Sequence, residues 1–180
     1  MDSICEYTLV CFGYPGVGKS SSVIRFTNDI FVESYDPTIE DIYQKQCSIE
    51  GREYLLKVLD TAANDEVSAM RNHFIYSCNG FILEYSITSK RSFDALGHFI
   101  QNIQTIKDMD KFPMVILGNK CDLEFERQVF KEEGEELAKE LSCPFYETSA
   151  LDNSNIIDAF QHLVLEVQRF NTFTVKNTSK

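Results

Sequence analysis

The sequence is short of positive charge. It carries 17 Lys and Arg against 28 Asp and Glu, a formal net charge of −11 over 180 residues, and the basic residues form no cluster. Nucleic acid and an anionic membrane surface both need Lys and Arg to meet phosphate, so neither is expected as the main partner. No apolar run approaches the ~18 residues of a spanning helix, and the start Met1-Asp2-Ser3 lacks the charged-then-apolar pattern of a signal segment. The six cysteines (Cys5, Cys11, Cys47, Cys78, Cys121, Cys143) have no C-x-x-C spacing. Most lie in apolar surroundings, which argues against zinc and disulfides and reads as small core residues of a reduced compartment. His73, His98 and His162 have no nucleophile near them in sequence and read as structural or surface residues. Glycine is missing at position 2, and Asn177-Thr178-Ser179-Lys180 holds no C-a-a-X cysteine, so either a lipid-bearing tail is missing from this sequence or the protein is not anchored that way. The expectation is a soluble, cytoplasmic protein, held at the cytoplasmic face of a membrane only if its native C-terminus is lipidated.

With 43% hydrophobic residues the chain can build one full core, read as a single domain over residues 1–170 with a flexible or truncated tail at 171–180. Its centre is Gly13-Tyr14-Pro15-Gly16-Val17-Gly18-Lys19-Ser20, a complete G-x-x-x-x-G-K-S set after the apolar run 7–12. Glycines let such a loop turn back so that successive N–H groups point at phosphate oxygens, and the following helix adds its positive end. An ordinary glycine-rich turn would match these four fixed positions by accident in roughly one such chain per hundred. In this pattern Lys19 reaches the terminal phosphates and Ser20 ligates Mg²⁺.

Residues 20–28 read as a helix with Val23, Ile24 and Phe26 inward, and residues 30–40 as a loop. Residues 41–49 and 54–59 read as a hairpin, the first strand with one wet face. A polar segment and a short helix lead to an apolar strand at 80–85. One helix is expected through Phe93, Leu96, Ile100, Ile103 and Ile106, capped by Ser89 or Ser92. A strand at 114–117, a helix at 131–141 with a solvated acidic start, a strand at 144–146 and a final helix on Ile156, Phe160, Leu163, Val164 and Val167 complete the chain. From Asn171 onward a frayed tail is expected. The fold class is α/β, a P-loop nucleoside-triphosphatase architecture with a mostly parallel six-stranded sheet, one antiparallel edge strand and helices on both faces. Ligands bind beyond the carboxyl ends of strands in such sheets, and the glycine loop, Asp60, Asn119 to Asp122 and Ser149-Ala150 all fall at such ends.

Asp122 offers an acceptor pair for adjacent donors. Guanine presents these as its ring N–H and exocyclic amine, and adenine does not; a turn stabilised by Asn and Asp side chains is the alternative. Asp60 at a strand end suits a Mg²⁺-shell carboxylate, with Thr38 as the loop hydroxyl that completes the shell.

Taken together, Gly13 to Ser20, Tyr35-Asp36-Pro37-Thr38-Ile39-Glu40-Asp41, Asp60-Thr61-Ala62, Ser68-Ala69-Met70-Arg71, Asn119-Lys120-Cys121-Asp122-Leu123 and Glu147-Thr148-Ser149-Ala150 resemble a small GTPase of the Ras and Rap group, over about residues 6–170. The resemblance implies a GTP/GDP switch with Mg²⁺. Gly16, Val17, Gly18, Lys19, Ser20 and Ser21 would surround the phosphates, joined by Tyr35, Pro37, Thr38 and Ala63. Phe31 would cover the guanine, with Asn119, Lys120, Asp122 and Leu123 gripping it and Ser149-Ala150 buttressing it through backbone N–H. Ser20, Thr38 and Asp60 would hold the metal, and Asn64, Lys19 and Thr38 would carry catalysis. Effectors would dock on segments 35–43 (Tyr35 to Tyr43, with Glu40 and Asp41 beside the edge strand) and 60–71 (Asp60 to Arg71). An exchange factor and a GTPase-activating protein would complete the partners.

Three positions around the γ-phosphate depart from the family pattern. Asn64 stands where the group has a glutamine and is shorter by a methylene, so it orients attacking water poorly. Pro15 puts a rigid ring without an N–H where an arginine finger would pass. Ala63 replaces a glycine whose N–H would hold the γ-phosphate; if closure needs a glycine-like backbone there the GTP form stays partly open, and if Ala63 adopts the required dihedrals without strain closure is normal. Slow hydrolysis follows. Two alternatives remain: a hydrolysis-deficient, near-constitutively GTP-bound interaction module, and a P-loop kinase of small metabolites, for which the required Arg-rich lid is absent.

Overall fold

The computed structural model describes residues 4–31, 41–61 and 69–178. Strand β1 (Cys5–Gly13) leads through the glycine loop into α1 (Lys19–Asn28). Then come the hairpin β2 (Asp41–Ile49) and β3 (Arg52–Asp60), α2 (Ala69–Ser77) and β4 (Gly80–Ser86). After these follow α3 (Lys90–Asp94), α4 (Leu96–Lys107), β5 (Met114–Asn119), a 3₁₀ turn (Glu124–Glu126), α5 (Lys131–Leu141), β6 (Phe145–Thr148) and α6 (Ile156–Thr178). The six strands form one sheet in the order β2-β3-β1-β4-β5-β6. Among the described strand pairs only β2–β3 is antiparallel. This is the mostly parallel α/β sheet with one antiparallel edge strand that the sequence predicts, and helices cover both faces.

Two apolar layers hold the sheet. On one face α1 and α6 bury Val23, Phe26, Phe160, Leu163 and Val167 against Leu9, Leu56, Val58 and Ile82, with the Phe26 and Phe160 rings stacked at 4.2 Å. On the other, Ile75 of α2, Leu96, Ile100 and Ile103 of α4 and Ala138 of α5 pack on Phe12, Leu83, Tyr85 and Ile116. Each fully buried side chain of this size contributes about 1.5–3 kcal/mol. Alternation along β4 therefore sends Ile82 and Glu84 toward α1 and α6, and Leu83 and Tyr85 to the opposite face. Ile24 is only half-buried, because the inward stripe of α1 runs through Lys19, Ser22, Val23 and Phe26.

Two helices differ from expectation. The helix expected over Phe93 to Ile106 is two, linked at Ala95, where the His98 N–H bonds Ala95 O at 3.2 Å and tightens the chain by an i to i−3 bond. Its cap is Ser89, whose hydroxyl accepts from the Ser92 N–H. The final helix does not fray at Asn171. It continues to Thr178, since no Gly or Pro interrupts it and Tyr54 Oη donates to Gln168 Oε1 at 2.8 Å, tying its late turns to β3. The acidic start of α5 is solvated as read except at Glu133, which accepts from the Phe130 N–H and pairs with Lys90 at 2.5 Å.

Candidate functional site

The glycine loop joins the carboxyl end of β1 to the start of α1 at the rim of the sheet. Close approach decides two of its residues. A Cβ on Gly13 would lie 2.1 Å from the Glu84 carbonyl oxygen, and one on Gly18, which has φ +113°, would lie 2.3 Å from Asn119 Nδ2. The loop can therefore press against β4 and the β5 exit only with glycine at both. A helix leaves its first N–H groups without intrahelical acceptors, and α1 begins without a side-chain cap, so its positive end adjoins the loop. Lys19 is only 6% exposed. Its ammonium donates to Gly13 O at 3.1 Å and Tyr14 O at 3.4 Å, bracing the loop from inside. The Arg91 guanidinium lies over the Tyr14 ring at 4.8 Å.

A chain of bonds joins this loop to the other strand exits. Asn119, ending β5, donates from Nδ2 to Val17 O at 3.0 Å and accepts at Oδ1 from the Thr148 hydroxyl at 3.3 Å. Lys120, held at φ +65°, donates from Nζ to Gly16 O at 2.7 Å. The β5 exit loop is fixed to the end of β6 by the Cys121 N–H on Thr148 O at 3.0 Å. Asp122 and Leu123 are exposed at the rim. Arg25 of α1 donates to Ala150 O at 2.8 Å and Leu151 O at 3.0 Å, and its guanidinium lies 6.0 Å from the Phe31 ring centre. The Ser149 N–H is engaged by Ser154 O at 3.2 Å, which occupies one of the two N–H groups expected to buttress a ligand.

Asp60, at the end of β3, is fully buried. Neither carboxylate oxygen accepts a well-formed hydrogen bond among the described residues. Burial pushes its pKa up, opposed by the adjacent Ser20 hydroxyl and the Lys19 charge. A buried carboxylate with open lone pairs beside a hydroxyl suits a hydrated divalent cation, so Asp60 and Ser20 fit Mg²⁺. Tyr35, Pro37, Thr38, Ala63 and Asn64 lie outside the described residues, as do the effector positions Glu40 and Ser68.

Sequence reasoning missed Glu84. It is the one charged residue in the otherwise apolar run of β4, and that interruption was the available signal. Glu84 is fully buried, with Oε1 accepting from Asn119 Nδ2 at 2.8 Å and from the Ser22 hydroxyl at 3.1 Å. The Cys11 thiol donates to Oε2 at 3.7 Å. Burial pushes its carboxyl up to about 7, while Lys19 and Ser22 pull it down and Asp60 adds to the rise. Arg25 was missed as well, because its partners lie 125 and 126 positions away. A separate groove between α5 and β6 is lined by Cys121, Lys131, Lys139 and Cys143 and contains none of the glycine loop. Burial pushes the Cys143 thiol up to about 12, so it is no ready nucleophile.

A glycine loop with a buried lysine between strand and helix, joined to the exits of β5 and β6 at the rim of a mostly parallel sheet, defines a P-loop nucleotide-binding protein. The sequence model of the Ras family matches residues 8–169. The chain is also 49% identical over 166 residues to a Ras-like protein of Laccaria bicolor, a match that covers 92% of this chain and 79% of that one. The chain belongs to the Ras family. It is accordingly a GTP-binding switch protein with GTPase activity, of a family whose members interact with effectors, exchange factors and GTPase-activating proteins. No helix among the described residues is long and apolar enough to cross a membrane.

Proposed function

We propose that this chain is a slow guanine-nucleotide switch that recruits effectors through the 35–43 and 60–71 segments. The observation that carries the nucleotide reading is the chain of bonds from the glycine loop through Asn119 to Thr148 and from Arg25 to Ala150. Such a rim can hold phosphates at one end and a base at the other. In this reading Gly16 to Ser21 and Lys19 bind the phosphates, while Phe31, Asn119, Lys120, Asp122, Leu123 and Ala150 hold the guanine. Ser20, Asp60 and Thr38 hold Mg²⁺, which when bound neutralises phosphate charge and draws electron density from the terminal phosphoryl group.

The edge position of β2 supports the effector reading. Ile42 is 58% exposed on that edge, which pairs with no further strand among the described residues, next to exposed Asp41, a surface suited to strand addition by a basic partner. Slow hydrolysis rests on Pro15, Ala63 and Asn64. The same residues favour a second reading, in which turnover is so poor that the protein stays GTP-bound and works as an interaction module. Identification of the co-purifying nucleotide, followed by single-turnover hydrolysis with Mg²⁺, separates the two. Measurable turnover supports the switch, a slow one if GTP co-purifies and an ordinary one if GDP does; co-purifying GTP with no turnover supports the module, and absence of any guanine nucleotide refutes both.

A further inference from the structure

A carboxylate in the middle of β4 is costly. Glu84 is fully buried with Ile82 and Leu83 before it in a strand buried along its whole length, and an apolar residue of similar volume would satisfy the core without desolvating a charge. What Glu84 touches gives it another use. Its three donors among the described residues each belong to a different segment of the nucleotide rim: Ser22 to the first turn of α1, Asn119 to the β5 exit and Cys11 to the strand that feeds the glycine loop. Oε1 alone takes the Ser22 and Asn119 bonds, so one oxygen ties the phosphate helix to the base-side loop.

The packing leaves little play around this contact. A Cβ on Gly18 would meet Asn119 Nδ2 at 2.3 Å and Glu84 Oε1 at 3.3 Å, so the glycine loop rests directly on the Glu84–Asn119 pair. The charged and titratable groups that influence Glu84 are Lys19 from α1, Asp60 from β3 and Cys11 from β1. Burial raises the Glu84 pKa and Lys19 opposes that rise, so above about pH 7 it is the ionised carboxylate, the better acceptor for two converging donors.

We infer that Glu84 is a positioning residue of the nucleotide site: through Asn119 and Ser22 it clamps the base-side loop to the phosphate helix and so slows nucleotide release. This rests on the guanine-nucleotide reading of the same rim. Glu84 need not touch the ligand. Its effect reaches the nucleotide through the orientation of the Asn119 amide, which without it keeps only Val17 O as acceptor.

The test is stopped-flow release of a fluorescent GDP from the full chain. Glu84→Leu is expected to speed release about tenfold, the factor associated with losing one charge-assisted hydrogen bond. Glu84→Gln keeps an acceptor at the Oε1 position and is expected to restore release to within about threefold of wild type. In a double-mutant cycle Glu84→Leu should be strongly non-additive with Asn119→Ala and additive with Asp122→Asn, a selectivity that general loosening of the core would not produce. Release from Glu84→Leu within twofold of wild type, no rescue by Gln, or additivity with Asn119→Ala would overturn the inference. If Glu84→Leu does not fold, Ser22→Ala carries the test: faster release supports the clamp and unchanged release refutes it. Failure of wild type to bind the GDP probe would sink the nucleotide reading instead, which keeps the two failures apart.

Discussion

Arg127 offers the most direct check on how the base-side rim is held. It follows the 3₁₀ turn and is 12% exposed. Nη1 and Nη2 grip Glu147 at 2.5 and 3.1 Å, Nε and Nη2 grip Glu124 at 2.8 and 2.6 Å, and Nη1 also donates to Val129 O at 2.9 Å. The two carboxylates are not equivalent. Glu124 is 62% exposed and will be resolvated by water when the guanidinium is removed, so its share is small. Glu147, 16% exposed, is the penultimate residue of β6, two positions before Ser149, and would be left as a poorly hydrated charge. Breaking a buried pair from one side costs about 3–5 kcal/mol, and the remaining water access at this site brings Arg127→Ala below that range, to about 2–3 kcal/mol. For a domain of this size each kcal/mol moves the melting temperature by about 2–4 °C, which gives a fall of roughly 4–12 °C. Calorimetry at a fixed excess of GDP measures it. The double variant Arg127→Met with Glu147→Leu should recover most of the loss, since no charge is stranded. A single variant melting within about 2 °C of wild type, or a double variant no better than the single, would refute the argument.

Asp122→Asn swaps an acceptor for an amide donor facing the donor pair of guanine, so preference should shift toward xanthine nucleotides in a competition assay; unchanged GDP affinity would remove Asp122 from the base site. Pro15→Gly with Asn64→Gln should raise single-turnover hydrolysis by about tenfold or more, about 1.4 kcal/mol of barrier, and an unchanged rate would clear both residues of blame. For Glu84, the folded carboxyl near 7 holds its proton above the usual 4.5. The native state therefore binds more protons than the unfolded chain between those values, and stability falls as pH rises across that window, by up to about 3 kcal/mol. Melting of wild type and Glu84→Gln from pH 5 to 7.5 checks this, with a flatter profile expected for the variant; parallel profiles would contradict it.

The phosphate loop was legible because its chemistry is local. G-x-x-x-x-G-K-S encodes backbone freedom, a lysine and a helix start within eight consecutive positions, and the apolar run before it encodes the strand. The strand ends were legible for the same reason: Asp60, Asn119 and Ser149 each follow a β-period run, and parallel topology carries all such ends to one rim. The antiparallel edge followed from the alternation of Tyr43, Cys47 and Ile49 with polar neighbours. Helix extents were less legible. Periodicity could not register the tightened turn at Ala95, and the end of α6 depended on Tyr54 reaching Gln168, 114 positions away.

Only the tertiary structure decided which polar groups became partners. Glu84 in an apolar strand has no sequence signature of what it meets, and the register of β4 beside β1 and β5 is what brings it to Cys11, Ser22 and Asn119. Arg25 reads as a surface residue of an amphipathic helix until the packing of α1 sets it beside Ala150. Arg127 and Glu147 look like two ordinary charges until the chain folds β6 against the loop that carries the arginine. Local motifs are written in adjacent residues because backbone geometry is short-ranged. A buried charge is tolerated only where distant donors converge on it, and that convergence exists only once the sheet has formed.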